Sequence, residues 1–191
     1  MKRTRFATVL VSAMIIPAVL LACGGGGGGG SSSNNTGTPF QLTSVIVKIA
    51  THGQLPTGTK IGGIDITLTA PTGVTVKTAP DAANPSAMIP DSGIVEASGA
   101  AAGSNTLMVA VYTAATTTRA ARLHINIVNA YGFDVGEFAT VKCDIAPGSN
   151  LQSSDFSLAG FTAWDVPNTT GSQEVQVITT GLTPTFSAEI K

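Results

Sequence analysis

Apolar and polar residues alternate one by one in short runs along most of this chain. In Ile64–Thr69 (IDITLT), Ile64, Ile66 and Leu68 fall on one side while Asp65, Thr67 and Thr69 fall on the other. Ala121–Ile127 (ARLHINI) sets Ala121, Leu123, Ile125 and Ile127 against Arg122, His124 and Asn126, and Phe138–Ile145 (FATVKCDI) sets Ala139, Val141, Cys143 and Ile145 against Phe138, Thr140, Lys142 and Asp144. Val45, Val47 and Ile49 group in the same way, as do Val175 and Val177. A period of two residues is that of a β-strand with one face buried. Thr106–Tyr112 (TLMVAVY) has no polar side, which predicts a central strand covered on both faces.

Turn-forming residues punctuate these runs: Pro71-Thr72-Gly73, Asn84-Pro85, Asp91-Ser92-Gly93, Ala130-Tyr131-Gly132, Pro147-Gly148 and Asn168 to Gly171. The pattern predicts about nine strands, near residues 42–50, 61–70, 73–78, 93–98, 105–113, 118–129, 136–146, 156–165 and 173–190. The last is two strands, or one bent at Pro184. No window shows a capped 3.6-residue period, so no helices are expected to cover a parallel sheet. The fold class that follows is all-β, an antiparallel β-sandwich.

A different composition governs the start of the chain. Lys2, Arg3 and Arg5 precede an apolar stretch from Phe6 to Leu21, the order of a secretory signal peptide and too short for a comfortable membrane span. Small Ala22 then precedes Cys23. The tetrad Leu20-Leu21-Ala22-Cys23 resembles the lipobox of bacterial lipoproteins. That resemblance implies a leader over residues 1–22, cleavage before Cys23, and acylation of Cys23 as the membrane anchor, in the cell envelope at the outer membrane or cell surface. Anchoring is stable only with more than one acyl chain.

Residues 23–39 are a linker. Gly24 to Gly30, Ser31 to Ser33 and Asn34 to Thr38 hold no large apolar side chain, so burial cannot offset the entropy of ordering them. A disordered tether of about 15 residues reaches about 20 Å. The domain boundaries expected are thus 1–22, 23–39 and 40–191. Once the leader and its three basic residues are removed, the remainder is net acidic, which excludes nucleic acid as an electrostatically favoured partner. Cys143 is then the one remaining thiol, and no intrachain disulfide is available.

Several stretches are similar to cohesin-type domains: GGIDITLTAPTGVTV (62–76), GEFATVKCDIAPGS (136–149), DFSL (155–158) and QEVQVITTGLTPTFS (173–187). Pro71 and Gly73 match a Pro-x-Gly turn of that family, and Asp155-Phe156 follows a Pro-Gly turn. The resemblance implies a nine-stranded jelly-roll sandwich, close to some carbohydrate-binding modules, that docks a protein on its sheet strands.

Candidate chemistry is sparse. His124 lies on the outward side between Arg122 and Asn126, and His52 lies in a turn. Neither has zinc-ligand spacing. The carboxylates occur singly and show no calcium-loop spacing, although Asp134 with Glu137 or Asp155 with Asp165 could meet across loops and hold a structural calcium. No GxSxG or SxxK element prepares a serine nucleophile. Cys143 falls on a buried side and reads as core. Trp164, the sole tryptophan, stands beside Asp165 before a polar loop; it reads either as a core indole closing one end of the sandwich or as an exposed platform for a sugar or partner. Phe138 is the one aromatic on an outward side, either an exposed contact anchor or packed under a loop.

These residues predict a non-enzymatic adaptor without cofactor. It would bind a protein, or alternatively a polysaccharide, through a surface drawn from Trp164, Asp165, Phe138, Arg122 and His124, with a hydrolase as the third reading.

Overall fold

Alternation turns into two packed sheets. The computed structural model describes residues 41–80, 88–166 and 174–191; the leader, Cys23 and the linker lie outside them. In chain order the strands are β1 (Ser44–Gly53), β2 (Ile61–Ala70), β3 (Val74–Thr75), β4 (Thr78–Pro80), β5 (Met88–Pro90), β6 (Val95–Ala97), β7 (Thr106–Thr113), β8 (Ala121–Phe133), β9 (Glu137–Ile145), β10 (Ser157–Asp165) and β11 (Leu182–Ile190). One sheet has the order β11-β1-β9-β3, with β6 also on β9; the other has the order β10-β2-β8-β7-β5-β4. All pairings are antiparallel. The chain is an all-β sandwich.

The core sits between the sheets and is made of the apolar members of the alternating runs. Val45, Val47 and Ile49 of β1 and Val141, Cys143 and Ile145 of β9 face Ile64, Ile66 and Leu68 of β2 and Leu123, Ile125 and Ile127 of β8. Each is buried. Two buried polar side chains are satisfied locally. The Thr51 hydroxyl accepts from the Gly136 amide at 3.2 Å, and Asn129 Nδ2 donates to the Thr106 hydroxyl at 2.7 Å.

Four expectations need correction. Phe138 does not face outward, because the β1–β9 register shifts between Ile49 and Ala50: Ile49 pairs with Ala139 and Ala50 with Glu137. Phe138 is the extra residue of a β-bulge, which lets two successive side chains turn inward. Both Phe138 and Ala139 are fully buried. Secondly, β7 is not covered on both faces: Met108, Ala110 and Tyr112 pack inward, while Leu107 and Val109 are 67% and 54% exposed.

Thirdly, Ala130-Tyr131-Gly132 is not a turn. β8 runs on to Phe133 through an irregular stretch where Ile61 pairs with Phe133 and Gly63 with Val128. Lastly, Val175 and Val177 lie outside any named strand; one strand, β11, follows a short 3₁₀ turn at Thr179–Gly181 and contains Pro184. Proline is tolerated there because β11 is an edge strand.

Candidate functional site

The register of the six-stranded sheet fixes its outer face row by row. Trp164, Gly63, Val128 and Leu107 form one row across β10, β2, β8 and β7. Next come Thr162, Asp65, Asn126 and Val109, then Ala159, Thr67, His124 and Val111, then Ser157, Thr69, Arg122 and Thr113. One end of this face is apolar and the other is polar.

At the apolar end, Trp164 is half-buried and points outward. It neither closes the end of the core nor stands free as a platform. Gly63 explains its position: a Cβ added there would stand 3.4 Å from Trp164 Cε3, so the missing side chain leaves room for the indole against the sheet. Val177 bridges Trp164 on its other side. A cavity of about 310 Å³ opens here, lined by Gly62, Gly63, Val128, Trp164, Val166 and Val175. Asp165 borders it, but its carboxylate is occupied, accepting from the Gln176 amide at 2.7 Å. Val128 and Val175 are 48% and 51% exposed, so the apolar surface extends well beyond the cavity.

The polar end is internally bonded. His124 Nε2 lies 3.1 Å from Asp65 Oδ2, and its Nδ1 lies 3.4 Å from the Thr67 hydroxyl. Asn126 Nδ2 donates to Asp65 Oδ2 at 3.4 Å. Hydroxyl, imidazole and carboxylate in series are also the order of a hydrolytic relay. Here the hydroxyl contact is long for a base activating a nucleophile, and His124 is half exposed on an open sheet. The arrangement orders a polar surface. Arg122 is exposed at its margin.

The other sequence candidates are dispersed. Phe138 is in the core. Cys143 is buried, and that burial, aided by the neighbouring Asp144 charge, pushes its thiol up to about 12, the opposite of an activated nucleophile. The carboxylates considered for calcium have other partners. Asp134 pairs with Lys60 at 3.1 Å, Glu137 approaches Lys48 at 3.8 Å, and Asp155 accepts from the Gln152 amide at 2.8 Å. Among the described residues no group of three or more His, Cys, Asp or Glu converges as a metal centre.

Sequence reasoning missed Leu107, Val109 and Val128 as surface residues. They were hidden inside apolar runs, and only the strand register separates their face from the core.

No family model matches the chain, and no curated protein or solved structure is significantly similar to it.

Proposed function

We propose that this chain is a lipid-anchored protein of the cell envelope, at the outer membrane or cell surface. Its sandwich binds a protein partner on the outer face of the six-stranded sheet. The observation that carries the binding reading is the exposed apolar row Trp164–Gly63–Val128–Leu107 with Val109 beside it. Contiguous apolar surface rimmed by polar groups is the mark of an interaction site. Covering such side chains is worth about 1.5–3 kcal/mol for each one fully buried.

A polysaccharide would need the indole face free and ringed by hydrogen-bonding groups. Trp164 is instead flanked by Val128, Val166 and Val175. The resemblance to cohesins points the same way, since those domains dock proteins on strands. Membrane attachment rests on the Leu20–Cys23 tetrad; among the described residues no helix is long and apolar enough to cross a membrane.

Photocrosslinking from position 107 in intact cells, with position 48 on the other sheet as control, tests the binding face. The captured partner should then bind the Val128→Lys protein at least about tenfold more weakly, a loss of about 1.4 kcal/mol. Equal crosslinking from both positions refutes the face. Independently, Cys23→Ser should free the protein from the membrane fraction and abolish lipid labelling; retention with the label intact refutes the anchor.

A further inference from the structure

β7 has an open side. It pairs with β8 from Thr106 to Thr113, but on its other side it meets β5 only at Met88–Tyr112. Ile89 and Pro90 run on toward Val111 and Ala110 without pairing, and Pro90 has no N–H to offer. The chain then turns at Asp91-Ser92-Gly93, with the Ile94 amide donating to the Asp91 carbonyl at 3.1 Å and Gly93 at φ +77°. That turn carries it to β6, which belongs to the opposite sheet. Among the described residues, no strand pairs with β7 from Thr106 to Val111 on the side away from β8, and only the Thr106 amide is taken, donating to the Gly103 carbonyl at 3.3 Å. Alternate residues of an antiparallel strand direct their N–H and C=O to that side.

The opening is a groove of about 460 Å³ between Met108–Val111 and Ile89–Val95. Parts of two other edges are protected. β11 contains Pro184, and its Ala188 carbonyl accepts from Ser153 Oγ at 3.1 Å. The end of β10 is covered where the Ile178 amide donates to Ala163 at 2.8 Å and the Asp165 amide to Gln176 at 3.0 Å. β7 carries no charge, no proline and no glycine. An uncharged, β-branched edge left bare is a template for strand addition.

We infer that the edge of β7 from Thr106 to Val111 takes up an extended, uncharged, apolar segment of a partner protein as an added strand. The inference rests on the protein-binding reading and adds the mode of capture. A second copy of the chain is a poorer occupant. Six residues at about 3.4 Å each, in a layer about 10 Å deep, bury about 200 Å² per copy. The total of about 400 Å² falls among crystal contacts, which are mostly under about 800 Å², and well short of the roughly 1,000 Å² a specific interface needs. A single strand lying in the groove is held by the edge and by both walls. Its backbone satisfies the open amides, and every second side chain faces Met108, Ala110 and Val95. Among the described lining residues Asp91 is the only charge, so the groove selects an uncharged segment.

The probe is a display library of random linear peptides, panned against the full chain in detergent. Enriched peptides should alternate apolar residues and slow hydrogen exchange at β7 amides. They should bind Ile89→Lys, on the exposed groove wall, at least about tenfold more weakly, a 1.4 kcal/mol loss. Ser92→Trp, which fills the groove from a surface position, should do the same, while Lys48→Glu on the other sheet should leave peptide binding intact. No enrichment, or peptides that bind both groove variants as well as the original, overturns the inference. If Val128→Lys alone abolishes partner capture, the sheet-face reading stands and strand addition falls.

Discussion

Phe138→Ala tests the point where alternation misplaces a residue. Counting by twos from Ala139 and Val141 puts Phe138 in solvent, where truncation would cost within about 0.5 kcal/mol. The bulge opposite Ile49 and Ala50 puts it in the core with no exposed surface. Its carbonyl accepts from the Ser98 amide at 3.1 Å, which ties the bulge to the chain beyond β6. Removing a buried phenyl ring costs about 3–5 kcal/mol, the transfer energy plus the cavity left behind. For a domain of about 150 residues each kcal/mol lowers Tm by about 2–4 °C, so the expected drop is about 6–20 °C. Calorimetry on the variant, beside Leu107→Ala as an exposed control, gives the answer directly. A drop under about 2 °C, equal to the control, would refute the bulge.

Two further perturbations probe the core thiol and the indole. Cys143 should react slowly with a thiol reagent in native buffer and promptly in denaturant. Because burial raises its value from 9.0 to about 12, its neutral form favours the folded state fully below pH 9 and loses that advantage as pH rises toward 12. The stability difference between the original protein and Cys143→Ala should therefore shrink over that window, by up to about 1.4 kcal/mol per pH unit; a flat difference counts against burial of the thiol. Gly63→Val should push the Trp164 indole off the sheet, red-shift its emission and cost about 1–3 kcal/mol through overpacking. An unchanged spectrum would show that the indole does not rest there.

The sandwich was legible because its core strands obey a period of two: Ile64, Ile66 and Leu68, and Leu123, Ile125 and Ile127, are buried as the alternation requires. Alternation is a statement about consecutive residues, and it fails wherever the ladder admits an extra one, as at Phe138 and again between Val128 and Phe133. The strand near 73–78 is divided for a related reason. Val74–Thr75 pairs with β9 in one sheet and Thr78–Pro80 pairs with β5 in the other, a change of sheet that no local pattern records.

The surface was harder to read than the core, and β7 shows why. An all-apolar strand reads as one covered on both faces, since burial is the usual reason for such a run. Here the inner face is covered by the core and the outer face is not, and the chain that runs beside the edge leaves at Pro90 for the other sheet. The side chains that would have signalled a solvent face are therefore absent from Leu107 and Val109, although those residues meet solvent. Within a soluble sheet that combination invites aggregation unless something occupies it. The apolar run is thus informative in a second way: its composition suits a strand buried on both faces, and the proposed partner would supply the cover that the outer face of β7 lacks.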